Sequence, residues 1–271
     1  AVQKCIGMFA FVLVDQLDKK VYFYRDRSGV KPFYYYWDSK SFIFGSELKA
    51  ILQNPDFTKQ INDIAVGYYF KLGYIPSPLT IYKNTYKLNP GHFGIFDLSK
   101  KEMLIQQYWN PINFYQKPKL IIDYKEAKSA LMQLLFSSCK YRMVADVPVG
   151  IFLSGGFDST AVAAILQKNS KERLKTFTIG FEEGNNEAPY AAQIAKFLGT
   201  EHYEYYCTTK EAQEIIPRLP FFFDEPFSDS SAIPTLLVSK FARSKVKVAL
   251  SADGGDELFA GYESYRSLLR N

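Results

Sequence analysis

Gly150-Ile151-Phe152-Leu153-Ser154-Gly155-Gly156-Phe157-Asp158-Ser159-Thr160 decides the fold of the second half of this chain. An apolar run with strand character stops at Ser-Gly-Gly, and a helical segment over Thr160 to Gln167 follows at once. So sharp a turn leaves backbone N–H groups unpaired at a helix N-terminus, where they can hold phosphate oxygens. Two adjacent glycines let the backbone approach a bulky anion, because neither carries a Cβ. Asp158 puts a carboxylate in the same turn, suited to a magnesium ion that bridges phosphates. The stretch reads as a nucleotide pyrophosphate site at the end of a strand.

Further along, Ala249-Leu250-Ser251-Ala252-Asp253-Gly254-Gly255-Asp256-Glu257-Leu258 repeats the design: an apolar strand runs into a glycine pair flanked by three carboxylates. Carboxylates beside a phosphate site repel the nucleotide unless a cation intervenes, so Asp158 and Asp256 together imply magnesium. Alone, Asp-Gly-Gly-Asp is a solvated turn. Paired with Ser-Gly-Gly-x-Asp-Ser on one sheet edge, it reads as functional.

Helix and strand alternate around these turns from Asp123 onward. Apolar residues at Ala127, Leu131, Leu134 and Leu135 predict a helix over Lys125 to Tyr141. Strands follow at Val149 to Leu153, Thr176 to Phe181, Glu201 to Cys207 and Lys247 to Leu250. Helices are read at Ala188 to Leu198, Glu211 to Phe223 and Ala232 to Phe241. That order predicts a parallel sheet covered by helices on both faces, with ligands beyond the carboxyl ends of its strands.

Residues 1 to about 110 are written differently. Gly7 to Asp15 and Lys20 to Arg25 read as a hairpin; so do Phe33 to Trp37 and Ser41 to Gly45, and Ile95 to Asp97 with Met103 to Ile105. Short helices are read at Glu47 to Leu52 and Asp63 to Phe70. This half is antiparallel, and the aromatic run Tyr34-Tyr35-Tyr36-Trp37 is expected to pack between sheets rather than bind a ligand. Asn110 to Pro118, with two prolines and little periodicity, is the linker candidate, so the expected division is 1–110, a linker over 111–122, and 123–271.

With 47% hydrophobic residues in 271, the chain can bury one large core or two moderate ones. The net charge of +5 comes from scattered lysines and arginines, which excludes a concentrated nucleic-acid surface. Cys5, Cys139 and Cys207 are widely separated, and His92 and His202 lack ligand-spaced partners; both facts argue against a metal centre of the Cys/His type. No apolar run is long enough to cross a bilayer and none reads as a signal peptide, so the expected location is the cytoplasm.

The motifs resemble a known family. Ser154-Gly155-Gly156-Phe157-Asp158-Ser159 matches the signature of the ATP pyrophosphatases. Taken with Asp146-Val147-Pro148-Val149-Gly150, Asp224-Glu225-Pro226-Phe227 and Asp253 through Tyr262, it is similar to glutamine-hydrolysing asparagine synthetase. Gly7 to Phe11, Arg25 to Tyr34 and Gly45 to Ala50 resemble the later part of that family's glutaminase domain. The resemblance implies a partial antiparallel α-β-β-α glutaminase domain of the N-terminal-nucleophile type, then a doubly wound ATP-pyrophosphatase domain. It implies ATP and Mg2+, a carboxylate acceptor activated as an acyl-adenylate, and amidation by glutamine-derived ammonia. It is compatible with a homodimer and calls for neither membrane nor nucleic acid.

Carried over by position, Ser154, Gly155, Gly156 and Ser159 hold the pyrophosphate, with Asp158 and Asp256 on magnesium. Phe152, Leu153 and Ile179 line the adenine pocket, Ser251 and Ala252 meet the nucleotide through backbone, and Asp253 supports the adenylate as the catalytic carboxylate. Asp224 to Ser231 either faces the acceptor or simply stops and caps helices.

Three departures qualify the resemblance. The family's glutaminase uses an N-terminal cysteine as nucleophile, whereas Ala1 is no nucleophile and Cys5 is in the wrong context, so the chain as written is expected not to hydrolyse glutamine. Ser251-Ala252-Asp253-Gly254 stands where many asparagine-forming members have Ser-Gly-Glu-Gly, and relatives from polysaccharide gene clusters resemble this version. Both ends read as cut, the second within a helical segment at Arg270-Asn271. Aspartate is the leading acceptor and a sugar carboxylate the alternative. Other ATP pyrophosphatases fit less well with the strand-rich first half, and a catalytically silent nucleotide-binding module remains the reading from a different class.

Overall fold

The computed structural model of the chain describes residues 2–182 and 186–268; the readings at Ala1 and at Arg270-Asn271 lie outside them. Two compact units form, one from Ala1–Leu120 with Pro217–Asp229 and the other from Ile121–Ile216 with Ser230–Asn271.

The first unit holds β1 (Ala10–Asp15), β2 (Lys20–Arg25), β3 (Tyr34–Trp37), β4 (Phe42–Gly45), α1 (Leu48–Ile51), α2 (Asp63–Leu72), β5 (Thr85–Lys87), β6 (His92–Asp97), β7 (Glu102–Gln107) and α3 (Ile112–Tyr115). They make two antiparallel sheets, β1-β2-β6-β7 and β4-β3-β5. The three expected hairpins are present; β5 and the single turn of α3 inside the linker candidate were not expected. Alternation does the packing. Val21 and Phe23 of β2 point into a core with Phe33, Tyr35, Leu88 and Phe96. Tyr36, one residue along β3 from Tyr35, points the other way into a second core with Leu48, Ile51, Ala65 and Ile81. The aromatic run thus serves two cores. Gly94 faces Phe23 across the β2–β6 ladder, and a Cβ there would lie 2.0 Å from the Phe23 ring, so only glycine leaves that ring its place.

Buried Asp26 organises the turn after β2, accepting hydrogen bonds from the amides of Phe9 (3.2 Å), Val30 (2.9 Å) and Lys31 (2.9 Å). The Arg25 guanidinium donates to the carbonyls of Lys31 (3.0 Å), Leu88 (2.6 Å) and Gly29 (2.8 Å). Together they lock Arg25 to Lys31 by satisfying main-chain groups that no strand partner reaches.

The second unit runs α4 (Tyr124–Arg142), β8 (Val149–Phe152), α5 (Phe157–Lys168), β9 (Lys175–Phe181), α6 (Ala188–Leu198), β10 (Glu201–Cys207) and α7 (Thr209–Ile215). The chain then crosses α8 (Leu219–Phe222), which belongs to the first unit, and returns through α9 (Ala232–Arg243), β11 (Val248–Leu250), α10 (Gly255–Phe259) and α11 (Glu263–Leu268). The sheet order is β10-β9-β8-β11 with every pair parallel, as the alternating pattern predicts. Ile151 and Leu153 pack with Ala163, Ile165, Ala191 and Ala195 of α5 and α6 on one face. Phe177 packs with Ala242 and Val246 on the other.

One expected helix, Glu211 to Phe223, is divided into α7, a 3-10 turn over Ile216–Arg218, and α8. Pro217 and Pro220 supply no N–H to continue α7. The segment they open, Pro217–Asp229, is held in the first unit by ion pairs. Asp224 pairs with Lys49 at 2.9 Å; Glu225 pairs with Lys87 and accepts from the Ile81 amide at 3.3 Å. The Ser228 amide donates to the Gly73 carbonyl at 2.8 Å. Burial, and then the carboxylates of Glu225 and Asp224, push the Tyr34 phenol up to about 12. Of the two readings of Asp224 to Ser231, its two leading carboxylates are engaged in ion pairing.

Candidate functional site

β8 and β11 are neighbours, with Ile151 opposite Leu250, so the two glycine-containing turns leave the sheet side by side. α5 begins at Phe157, three residues before the expected start, which sets Asp158 and Ser159 in its first turn. A carboxylate there sits at the positive end of the helix macrodipole.

The first turn is closed on itself. The Ser154 amide donates to Ser159 Oγ at 3.2 Å, and the two hydroxyls are 2.8 Å apart. The Gly156 amide donates to Ser154 Oγ at 3.2 Å, and Thr160 Oγ1 donates to the Gly156 carbonyl at 2.7 Å. Gly155 and Gly156 are exposed, whereas Ser159 is buried. Gly155 lies against α6: a Cβ on it would be 2.9 Å from the Tyr190 Cβ.

The second turn reaches the first through a glycine. A Cβ on Gly255 would lie 2.3 Å from Asp158 Oδ2, so the 254–256 backbone rests on that carboxylate. Gly254 has φ +91°, a left-handed conformation natural to glycine, and it starts α10. Ser251 Oγ donates to Asp253 Oδ2 at 2.7 Å and orients the exposed acid. The Asp256 carbonyl accepts from the Gly261 amide at 3.0 Å, and its carboxylate lies beneath Gly261, where a Cβ would be 1.9 Å from Oδ1. Glu257 accepts from the Tyr262 hydroxyl at 3.0 Å and pushes that phenol up.

Among the described residues no three His, Cys, Asp or Glu side chains group as a metal site. The donor set at these turns is sparser: Asp158 lies against the second turn and Asp256 is carried within it. One or two carboxylates completed by phosphate oxygens and water is how magnesium is usually bound, so these residues fit a magnesium that arrives with a nucleotide.

Phe152 is paired with Phe177, and Ile179 follows two residues later, so Phe152 and Ile179 lie half-buried on one face at the carboxyl end of the sheet. Leu153 turns to the opposite face, where its side chain is in the core; its main chain is what it can present to a ligand. Ser251 is exposed and Ala252 half-buried just past β11. The structure therefore gathers the residues singled out in the sequence along one edge of one sheet. It also adds Thr178, whose buried hydroxyl donates to the Leu153 carbonyl. A threonine inside a strand carries no signal in sequence beyond its strand preference.

A four-stranded parallel sheet with a Ser-Gly-Gly turn at its carboxyl edge, accompanied by an antiparallel first unit, is a mixed α/β architecture. The chain belongs to the asparagine synthase family, whose sequence model matches residues 130–271; that of the glutamine amidotransferase domain matches residues 1–109. It is 45% identical over 265 residues to putative asparagine synthetase (glutamine-hydrolyzing) 2 of Methanocaldococcus jannaschii, covering 96% of this chain and 50% of that protein. It is 35% identical over 272 residues to a putative asparagine synthetase (glutamine-hydrolyzing) of Mycobacterium tuberculosis, covering 98% and 41%. With asparagine synthetase (glutamine-hydrolyzing) 1 of Bacillus subtilis the identity is 33% over 274 residues, covering 99% and 42%. The chain spans half or less of the length of these curated relatives. No helix among the described residues is long and apolar enough to cross a membrane.

Proposed function

We propose that the protein is an ATP-dependent amidotransferase of the asparagine synthetase type, with aspartate as the acceptor. What supports this most is the seating of Gly255 on Asp158, which makes one edge out of two motifs nearly a hundred residues apart in sequence.

In this reading a carboxylate oxygen of the acceptor attacks the α-phosphorus of ATP and the bond to pyrophosphate breaks. Ammonia, in the whole protein derived from glutamine, then attacks the acyl carbon and AMP departs, leaving an amide. The exposed Gly155–Gly156 turn, with Ser154 and Ser159, serves the pyrophosphate. Phe152, Ile179 and the Leu153 main chain flank the adenine, and Ser251 and Ala252 meet the nucleotide through backbone. Asp253, oriented by Ser251, supports the acyl-adenylate. Magnesium held by Asp158 and Asp256 supplies charge neutralisation on the departing phosphates. Donors fixed before reaction cost no reorganisation when charge develops, which is where their catalytic value lies.

A second reading, amidation of a sugar carboxylate, is favoured by one observation: Asp253 is a shorter acid than the glutamate that the resemblance led us to expect. Incubation with ATP, magnesium, ammonia and aspartate labelled with heavy oxygen in its side-chain carboxylate decides between them. The expected result is aspartate-dependent pyrophosphate release, with label appearing in AMP. Release only with a uronic acid selects the second reading. Nucleotide binding with no release for any acceptor leaves a binding module and overturns both.

A further inference from the structure

The structure assigns Thr178 as a positioning residue for the Ser154–Ser159 turn, an inference that rests on the reading of that turn as the phosphate cradle. The backbone ladder between β8 and β9 ends at the pair Phe152–Phe177. Beyond it the Leu153 amide still donates to the Phe177 carbonyl at 2.9 Å. The Leu153 carbonyl, by contrast, accepts from the Thr178 hydroxyl. Thr178 is 4% exposed, and its neighbour on this face, Leu153, is 1% exposed, so this is a hydrogen bond made away from water.

That bond has a counterpart at the other end of the same peptide. The peptide between Leu153 and Ser154 carries the carbonyl held by Thr178 and the amide held by Ser159 Oγ at 3.2 Å. A peptide is a rigid plane, so fixing both its polar ends fixes its rotation about the chain. From there the path to the glycines is set: Ser154 Oγ is placed 3.2 Å from the Gly156 amide and 2.8 Å from Ser159 Oγ. Ser159 is itself 7% exposed, with its hydroxyl turned toward Ser154 and the Gly156 carbonyl at 3.4 Å. One hydroxyl from β9 and one from α5 therefore hold the Leu153–Ser154 peptide from inside the fold, and with it the Ser154 hydroxyl that receives the Gly156 amide. Valine at 178 keeps the shape but leaves the Leu153 carbonyl without the hydroxyl in a buried place, which favours rotation of this peptide.

The test compares wild type with Thr178→Val and Thr178→Ser by amide hydrogen exchange and by titration with MgATP and inorganic pyrophosphate. In Thr178→Val, loss of one buried hydrogen bond predicts about tenfold less protection at Ser154 and Gly156 and about tenfold weaker binding of MgATP and pyrophosphate. Exchange at Ile151 stays at its wild-type value, because Ile151 lies within the β8–β9 ladder before the turn. Thr178→Ser, which retains the hydroxyl, restores protection and affinity. The inference is overturned if the valine variant keeps wild-type protection at Ser154 and Gly156, if protection at Ile151 falls as much as at Ser154, or if serine does not restore what valine loses. Failure of wild type to bind MgATP overturns the proposed function instead, and the exchange comparison still decides whether Thr178 holds the turn.

Discussion

Breaking the ion pair that anchors Pro217–Asp229 gives a stability change whose size can be worked out. Lys87 and Glu225 side chains are 15% and 14% exposed, so both charges have given up most of their hydration. Lys87 Nζ also donates to the Ile75 carbonyl at 2.7 Å, and Glu225 accepts from the Ile81 amide. Lys87→Met strands a carboxylate and a carbonyl. Removing one partner of a buried pair costs about 3–5 kcal/mol. Burial already raises the Glu225 carboxyl above its ordinary value, against the pull of Lys87, so without Lys87 it takes up a proton rather than stay charged. That relief puts Lys87→Met at the lower end, about 3 kcal/mol. Glu225→Gln keeps an acceptor for Ile81 and for Lys87 and costs about 1–2 kcal/mol. Because the two residues touch, the double variant falls short of the sum by about 1–2 kcal/mol. Urea denaturation followed by tryptophan fluorescence reads this out, since both tryptophans, Trp37 and Trp109, lie in the first unit. Lys87→Met losing less than about 1 kcal/mol, or strict additivity in the double variant, would refute the reasoning.

Two further outcomes follow from buried groups. Asp26→Ala leaves three amides without their acceptor and is expected to destabilise the first unit by about 3 kcal/mol or more, measured by the same fluorescence transition. His202 Nδ1 lies 2.8 Å from Thr176 Oγ1, while its buried Nε2 has no hydrogen-bond partner and is 3.9 Å from Glu204 Oε1, too far for one. Burial pulls its pKa below 6.5, opposed by Glu204. A lowered folded value means that this stability is intact above the unfolded value of 6.5 and is lost as pH falls through the folded one. Calorimetry is expected to show a transition temperature that falls as pH is lowered below 6.5, and a smaller fall in His202→Gln. Equal slopes in the two proteins would contradict the assignment.

What could be read from sequence divides along local and non-local lines. The second unit's strands and their parallel order were legible, because each apolar run is bounded by a turn that its own glycines and acids announce, as at Ser154 to Gly156 and Asp253 to Asp256. The first unit's hairpins were legible for the same reason. β5 was not: Thr85-Tyr86-Lys87 is too short to show alternation, and it is a strand because β3 lies beside it. The helix over Glu211 to Phe223 looked continuous because apolar spacing outweighed Pro217 and Pro220, and the return of Pro217–Asp229 to the first unit depends on Lys49 and Lys87, far away in sequence. At the site, the residue types were legible and their orientation was not. Nothing local reveals that Ser159 faces inward, that Leu153 offers only backbone, or that Gly255 meets Asp158.

The most direct measurement of the central claim is calorimetric titration of the protein with ATP, with and without magnesium, repeated on Asp158→Ala. Binding in wild type that strengthens with magnesium, and loses that strengthening when Asp158 is removed, is the predicted result. ATP binding indifferent to magnesium, or a magnesium response unchanged in Asp158→Ala, would contradict the account.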